Sequence, residues 1–386
     1  MTILRWPIGI GLSVIGFTVL MGQALPVQAQ SSPVQAKTFA GKFAMLDGDI
    51  PYWVDQHYID RALTRLKAAG FNVYMPTVWQ GRGTAWPSKY APWDIALKNR
   101  PKTNFDPLRY AIKKAHELGM EVHPWFTLTL RQGDLFPEYA PPGTPSNAFD
   151  VHNPAFRQWM TNLISEVVEH YDVDGINLDY VRAVGLCSSE FCTSQYANQY
   201  GRSLSADSTL FRLTFGKAAH LAEFQEQAVT SMVRSIVEAV RQSKPSLLIS
   251  VDAIPGQAGP EQGAASVKWV NEGLVDVILR MDYFPKVNVS VTDSVRGALH
   301  NPDALTLLIC NMATEEELKT PTQPRFPRSG AWVSSTVSMI QSRWPKTGLA
   351  VYFYKYFTDE QAAALKGEPF HGRFDPPQAP KNLSVR

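Results

Sequence analysis

The sequence has no surplus of charge of either sign. Its 386 residues include 37 Lys plus Arg and 35 Asp plus Glu, for a formal net charge of +2. A balance this even gives no electrostatic case for nucleic acid or a strongly charged membrane as the main partner. Hydrophobic residues make up 45% of the chain and charged residues 19%, which excludes bulk disorder. The chain is instead rich in aromatic residues and proline, with 10 Trp, 14 Tyr, 19 Phe and 28 Pro, which favours long, stiff, aromatic loops.

The chain also lacks an apolar run long enough to be a confident membrane span. Residues 7–21 are uncharged and mostly apolar, but the run is short and interrupted by glycine. It follows Arg5 and precedes the small residues of Val27-Gln28-Ala29, which is the pattern of a cleavable export signal. We therefore expect residues 1–29 to be a signal peptide, and the protein to be secreted or periplasmic without stable membrane insertion. An uncleaved N-terminal anchor is the alternative.

Cysteine is scarce, with three residues in the whole chain. Cys187 and Cys192 are separated by four residues in a polar stretch, and in an exported protein this spacing favours a loop-closing disulfide. A metal site is the rival interpretation, but no histidine lies within a few residues to complete it. Cys310 lies in the apolar run TLLIC and is expected to be a buried thiol. We predict neither a metal nor a cofactor.

Eight β-prone runs alternate with helical periods along the chain. Eight strand–helix repeats are the count of a (β/α)8 TIM barrel, which we place at residues 41–366, between a linker at 30–40 and a Pro-rich tail at 367–386. A doubly wound sheet is the rival, but residues 44–49 lack the Gly-rich phosphate loop it would require. The candidate strands are Phe43–Asp47, Asn72–Trp79, Glu121–Phe126, Asp174–Tyr180, Leu247–Asp252, Val275–Tyr283, Leu305–Asn311 and Leu349–Tyr354.

The connections after strands 2, 3 and 4 are much longer than most of the others. Their excess lies in residues 80–104, 127–154 and 183–215, directly after the C-terminal ends of these strands. In a TIM barrel those ends build the active-site face. Aromatic residues in these connections are therefore expected partly where a ligand would bind: Trp86, Trp93, Phe136 and Tyr139.

Side chains alternate between the two faces of a strand, so polar residues at every second position of an apolar run should point into the barrel or its mouth. Strand 4 reads Gly175-Ile-Asn-Leu-Asp-Tyr180, which predicts that Asn177 and Asp179 face inward. The same pattern predicts an inward Asp252 at the end of strand 5 and an inward Asp282 on strand 6. Other residues predicted to face inward are Glu121, His123 and Trp125 on strand 3 and Arg280 on strand 6.

Carboxylates gathered at strand ends are costly unless they are paired or protonated. Glycosidic bond cleavage needs such a pair, with one carboxylate kept ionised and the other kept protonated. We predict Asp179 as nucleophile or electrostatic stabiliser and Asp282 as general acid/base, with Asp252 as the less favoured acid partner. The residues expected to bind substrate or tune the pair are Trp79, Trp86, His123, Trp125, Asn177, Tyr180, Arg182, Arg280, Tyr283 and Tyr354.

Some polar residues have a structural interpretation that competes with the functional one. Asp174 and Asp276 come at the starts of strands and are expected to be turn or capping residues. Asp47 fits a functional residue and a turn former with Gly48 equally well. His123 fits a buried core histidine nearly as well as a substrate ligand.

The segment from Tyr171 to Arg182, YDVDGINLDYVR, resembles the YxVDGIxxDxxR signature of the glycosyl hydrolase-like family 10 proteins. Three further segments are similar to this family in order and spacing: residues 69–88, 106–126 and 275–284. The resemblance implies an exported TIM-barrel glycoside hydrolase, with some relatives associated with peptidoglycan glycan strands. It also implies that Asp179 is the catalytic carboxylate of strand 4 and that His123 and Trp125 belong to the site.

The leading hypothesis is an exported glycosidase that acts on a bacterial polysaccharide, with a glycan and not a nucleic acid as its partner. A non-catalytic glycan-binding barrel is the alternative, because it would keep the aromatic residues without needing paired acids. A metal-dependent hydrolase or deacetylase is a further alternative. Its ligand set is poor, since the chain lacks a His-x-His on strand 1 and an HExxH helix.

Overall fold

In the computed structural model, eight parallel strands close into a barrel, because the first strand pairs with both the second and the last. Helices connect the strands, so the predicted TIM barrel is confirmed. The third strand is interrupted at Pro124, which has no N–H to donate to a neighbour. The strands are β1 Phe43–Asp47, β2 Val73–Trp79, β3 in two segments Glu121–Val122 and Trp125–Thr127, β4 Gly175–Asp179, β5 Leu248–Ala253, β6 Val277–Asp282, β7 Leu305–Cys310 and β8 Leu349–Tyr352.

The structure describes residues 37–97, 105–213, 219–255, 259–320 and 322–366. The predicted signal peptide at 1–29, residues 30–36 of the predicted linker and the predicted tail at 367–386 lie outside these ranges. Within them, no helix combines the length and the apolar character needed to cross a membrane.

Eleven α-helices occur in the described ranges. Asp106 and Asn153 cap the N-termini of α3 and α4 with their side chains, and a proline occupies the first turn of each. The helices are α1 Ile50–Trp53, α2 Gln56–Ala68, α3 Pro107–Glu117, α4 Pro154–His170, α5 Glu190–Tyr200, α6 Leu204–Leu213, α7 Ala219–Ser243, α8 Ser266–Asn271, α9 Val289–Ala298, α10 Gly330–Arg343 and α11 Asp359–Lys366.

Two apolar layers show which face each strand residue presents. On β1, Phe43 and Met45 pack against the helices, whereas Ala44 and Leu46 belong to a separate cluster inside the barrel. The other strand residues of the inner cluster are Val73, Met75, Trp125, Leu248, Val277, Leu279, Leu308 and Ala350. This division fixes the inside of the barrel and therefore the residues that can line its mouth.

Polar residues at the strand starts close the N-terminal end of the barrel. The side chain of Asn72 accepts from Phe43 N at 2.7 Å, Asp174 from Val122 N at 2.8 Å, and Asp276 from Ile249 N at 2.8 Å. Each satisfies a backbone donor at the start of the preceding strand. The capping interpretation of Asp174 and Asp276 is confirmed.

The long connection after β4 is not an irregular loop, because it contains α5 and α6. Ser189 caps α5 by accepting from Cys192 N at 3.2 Å, and Gly201 ends it in the left-handed region with φ 63°. α5 buries only Cys192 and Tyr196 among its residues, so its sequence carries little helical periodicity. The predicted disulfide between Cys187 and Cys192 is present.

Candidate active site

Asp179 and Asp252 lie side by side at the C-terminal ends of β4 and β5. Leu178 pairs with Val251 in the register of these strands, and each aspartate is the next residue. Ile176 and Leu178 pack against the helices, so Asp179 faces the barrel interior, and the same alternation points Asp252 inward. Both carboxyl groups are buried, with residue exposures of 6% and 5%. The predicted inward orientation of these two residues is confirmed.

Asp179 has several groups that favour its ionised form. It accepts a hydrogen bond from its neighbour Tyr180 N at 2.6 Å and one from Trp125 Nε1 at 3.3 Å. Burial raises the pKa of Asp179, while these two donors and the positive charge of Arg182 act in the opposite direction.

Asp252 has a weaker set of partners. It accepts one hydrogen bond from a side chain, that of Asn177 Nδ2 at 2.9 Å. Burial, followed by the negative charge of Asp179, raises the pKa of Asp252 well above its ordinary value. The two environments differ, because Asp179 accepts two hydrogen bonds from N–H groups whereas Asp252 accepts one from a single amide donor. The pKa of both carboxyl groups is raised, and the shift is the larger one at Asp252.

The inward orientation predicted for Arg280 and Asp282 is wrong. Val277 and Leu279 of β6 belong to the inner cluster, so the alternate residues Arg280 and Asp282 point toward the helices. Arg280 Nη1 donates to Asp282 Oδ2 at 2.5 Å and to Thr292 Oγ1 of α9 at 3.2 Å. Asp282 also accepts from Asn288 N, which precedes α9, at 2.8 Å. The pair therefore joins β6 to α9, away from the two other aspartates.

Aromatic rings continue from the carboxyl pair around the barrel mouth. Trp125 meets Tyr352 edge-on at 6.1 Å between ring centroids, and Tyr352 stacks on Tyr283 at 5.4 Å. The rings of Phe353 and Tyr352 also pack together, with 4.4 Å between their centroids. Tyr283, Tyr352 and Phe353 are partly exposed, so they offer flat apolar faces beside the carboxyl groups. The sequence prediction included Trp125 and Tyr283 but missed Tyr352, which the inward position of Ala350 on the same strand would have indicated.

Tyr180 and Arg182 follow Asp179 on the same side of the mouth. Tyr180 adopts a left-handed backbone conformation with φ 50°. This conformation is uncommon for a bulky residue, and residues that adopt it are found most often at functional sites. The Arg182 guanidinium lies 4.7 Å from the centroid of the Tyr180 ring. Thr129 Oγ1 is 2.8 Å from Tyr180 O and 2.6 Å from Arg182 O, so its hydroxyl is shared between these carbonyls. The turn after β4 is thereby held against the connection that follows β3. Both Tyr180 and Arg182 stay candidates for substrate contact.

Trp79 and Trp86 are wholly buried, which contradicts their predicted role in sugar binding. The register of β2 shifts between Thr77 and Trp79. This irregularity turns the Trp79 ring outward against that of Trp159, with 5.3 Å between the ring centroids. Trp86 donates through Nε1 to Glu166 Oε2 of α4 at 3.0 Å.

The aromatic residues of the second long connection also pack internally. Phe136 and Tyr139 lie 4.8 and 5.4 Å from the Trp159 ring, measured between centroids. They contribute to a cluster against α4 and do not form a ligand surface. Trp93, on the first connection, is 41% exposed and keeps a free face.

His123 is a buried core residue and does not line the mouth. It lies two residues before Trp125 on the inward face and is fully buried, with Nε2 2.9 Å from Glu121 Oε2. A Cβ on Gly175 would lie 2.7 Å from the His123 ring, so the glycine of the YDVDGI segment makes room for the imidazole. The structure thus favours the core interpretation of His123 over substrate binding.

Tyr354 and Asp47 belong to the layer between barrel and helices. Tyr354 packs on Tyr58 of α2, with centroids 5.6 Å apart. Asp47 Oδ2 accepts from Tyr74 at 2.9 Å and from Tyr58 at 3.1 Å. Asp47 therefore does not face the mouth, and the predicted contact of Tyr354 with substrate is not supported by its position.

Asn177 contributes to the site by holding Asp252. It is fully buried and donates through Nδ2 to Ser250 Oγ at 3.1 Å as well as to Asp252. It has no exposed surface with which to bind a sugar, so its predicted contact with substrate is replaced by this indirect role.

Within the described ranges, the tightest group of metal-ligating side chains is Asp150 with Cys187 and Cys192, all of them buried. The disulfide removes both thiolates from this set, which leaves a single carboxylate. These three residues therefore do not form a metal centre in the disulfide-bonded protein.

The glycosyl hydrolase-like 10 family model matches residues 46–138 and 143–305. Among curated proteins, glycosyl hydrolase DigH of Escherichia coli is 24% identical over 270 residues, which is 60% of this chain and 58% of DigH. Glycosyl hydrolase YngK of Bacillus subtilis is 21% identical over 263 residues, 59% of this chain and 49% of YngK. The chain thus matches about half to three fifths of the length of these relatives.

Solved structures share the fold at low sequence identity. The glycoside hydrolase domain of PgaB (BpsB) from Bordetella bronchiseptica superposes with a TM-score of 0.59 at 11% identity, covering 84% of this chain and 97% of that domain. The catalytic domain of β-amylase from Paenibacillus polymyxa gives a TM-score of 0.56 at 11% identity, covering 86% and 98%.

Proposed function

The chain belongs to the glycosyl hydrolase-like 10 family, and from this premise we propose that it is a glycoside hydrolase whose catalytic pair is Asp179 and Asp252. One observation carries the proposal: two buried inward carboxyl groups on adjacent strands have unequal surroundings. Asp179 accepts hydrogen bonds from Tyr180 N and Trp125 Nε1, whereas Asp252 accepts one, from Asn177 Nδ2. Family membership together with this pair favours a glycosidase over a glycan-binding barrel, which would not need two acids.

In the proposed mechanism, the Asp252 carboxylic acid donates its proton to the glycosidic oxygen while the Asp179 carboxylate attacks the anomeric carbon. The bond between the anomeric carbon and the leaving oxygen breaks, and an ester between sugar and Asp179 forms. Asp252, now ionised, then takes a proton from water as that water hydrolyses the ester. Activity on this scheme needs Asp179 ionised and Asp252 protonated, so kcat/KM should follow a bell-shaped curve against pH.

The adjacency of the two strands favours retention of anomeric configuration. Neighbouring strands lie about 4.8 Å apart, and the two aspartates follow a registered pair of residues. Retaining glycosidases hold their carboxyl groups about 5–5.5 Å apart, whereas inverting ones leave about 6.5–9.5 Å for a water molecule. The anomer that forms first can be read by NMR.

We further propose that the enzyme is exported and acts on a bacterial polysaccharide, with peptidoglycan glycan strands as the first substrate to test. The N-terminal sequence pattern supports export, and the exposed aromatic faces beside the carboxyl pair support a sugar polymer as ligand.

Aryl glycosides with different leaving groups separate the two proposed roles. We expect Asp252→Asn to lose about 100- to 10,000-fold in kcat on a glycan, whose leaving group needs the proton. It should lose far less on a dinitrophenyl glycoside, whose leaving group departs without one. Asp179→Asn should be impaired on both substrates, because the nucleophile is absent.

Two results would contradict this assignment. One is an Asp179→Asn variant that is rescued by the good leaving group, which would exchange the roles. The other is a wild-type protein that binds glycans but cleaves none, which would support the non-catalytic barrel instead.

A further inference from the structure

Arg328, in the connection between β7 and α10, ties together the ends of two barrel strands. Its Nη1 donates to Cys310 O at 2.8 Å and its Nη2 donates to Tyr283 O at 3.0 Å. Cys310 is the last residue of β7, and Tyr283 directly follows β6. Arg328 is 5% exposed, so these bonds are shielded from water. The guanidinium thus takes the place of a sheet hydrogen bond where the two strands separate.

The guanidinium is itself fixed on its other sides. Its Nε donates to Glu317 Oε1 at 3.2 Å, Nη2 pairs with Glu317 Oε2, and its plane lies 4.2 Å from the centroid of the Trp332 ring. Gln361 Nε2 of α11 donates to Arg328 O at 2.6 Å. A planar guanidinium held in this way has little conformational freedom, so it fixes the positions of the carbonyl groups to which it donates. A lysine could not reproduce the two parallel donations.

The residue that Arg328 holds is linked to the proposed catalytic pair through two further aromatic rings. Tyr283 stacks on Tyr352 at an interplanar angle of 18°, and Tyr352 meets Trp125, which donates to Asp179. Burial raises the pKa of Tyr283 well above its ordinary value, and the charges of Asp252 and then Asp179 act in the same direction. The Tyr283 ring therefore borders the same part of the mouth as the two carboxyl groups.

We propose that Arg328 is a positioning residue for the glycosidase site, which acts by fixing Tyr283 as a wall of the mouth beside Asp252 and Asp179. The inference rests on the proposed function. Arg328 bonds the last residue of β7 and the residue that follows β6, at the end of the barrel where the two aspartates lie. Its contribution is therefore to the position of a ring that borders the substrate.

The test compares Arg328→Gln and Arg328→Lys with wild type on the same glycan across a pH series. We expect kcat/KM to fall about 10- to 100-fold in Arg328→Gln, the usual cost of displacing a group by about 1 Å, with Arg328→Lys intermediate. We also expect the alkaline limb of the pH profile to move to lower pH, because water that reaches Asp252 stabilises its ionised form. A stabilising role alone would not move this limb.

Arg296 provides the matched control. It donates to Thr347 Oγ1 at 2.8 Å and to Asp303 Oδ1 at 3.0 Å, near the starts of β7 and β8 and hence at the opposite end of the barrel. Arg296→Gln should lower the melting temperature without changing kcat/KM or the pH profile.

The inference is overturned if folded Arg328→Lys or Arg328→Gln keeps the wild-type kcat/KM and pH profile and differs only in stability. An absence of turnover in the wild type would instead contradict the proposed function, so the two failures are distinguishable.

Discussion

At the scale of single residues, the direction of a side chain separates the proposed catalytic carboxylates from a structural one. Asp179 and Asp252 face the inner cluster, whereas Asp282 faces α9 and is bonded to Arg280. The sequence placed all three at strand ends, but both faces of β6 carry large apolar residues, so its alternation did not show which face is inward. An ion pair that compensates its own charge can be buried under a helix, and this is what the structure contains.

Asp282→Asn tests whether this carboxylate is structural. The substitution leaves the buried Arg280 charge without its counter-ion, so we expect a loss of about 3–5 kcal/mol in unfolding free energy with unchanged kcat in the folded protein. Replacing both residues together, Arg280→Met with Asp282→Leu, should be much less costly. Urea unfolding and turnover are the measurements. Loss of turnover with unchanged stability would restore the catalytic role that the sequence predicted for Asp282.

Asp47 gives a second prediction at this scale. It is fully buried, and burial raises its pKa to about 7, although bonds from Tyr74 and Tyr58 act in the opposite direction. The unfolded chain loses this proton near its ordinary pKa of about 4, so the wild type should lose stability as pH rises from about 4 to 7. Asp47→Asn does not titrate, so its stability relative to wild type should rise by about 1.4 kcal/mol per pH unit over this window and then level off.

Unfolding curves at several pH values measure this difference. Asp134→Asn, at an exposed position, is the control and should show no such trend. A constant difference between Asp47→Asn and wild type from pH 4 to 8 would contradict the raised pKa of Asp47.

At the scale of secondary-structure elements, the sequence located the barrel strands well and the irregular parts poorly. Parallel strands buried on both faces give continuous apolar runs, and seven of the eight predicted runs match a single strand to within two residues at each end. The remaining run, strand 3, is broken at Pro124. α5 and α6 were missed because a helix that lies on a small side cluster needs few apolar residues to hold it.

The same scale explains the errors in the site. The shift in β2 turned Trp79 away from the position that simple alternation gives, and nothing in the residue types reveals such a shift. Tyr352, in contrast, follows the alternation of β8, and the rings it touches on other strands could be identified only after the barrel had closed.

At the scale of the whole molecule, the aromatic surplus divides between two uses. Part of it packs the long connections against α4 around Trp79 and Trp159, and part of it lines the mouth at Trp125, Tyr352 and Tyr283. The second group lies where the proposed substrate would bind. The barrel thus brings together carboxyl groups from adjacent strands and aromatic faces from strands distant in sequence, which is the arrangement a glycosidase needs.

The most direct test of this account is the release of new reducing ends from purified peptidoglycan glycan strands and other bacterial polysaccharides. Wild type, Asp179→Asn and Asp252→Asn are compared at matched circular dichroism, with Asp282→Asn as the structural control. We predict turnover by wild type and by folded Asp282→Asn, and a loss of at least about 100-fold in each of the other two variants. Undiminished turnover by folded Asp179→Asn would contradict the central claim that Asp179 and Asp252 form the catalytic pair.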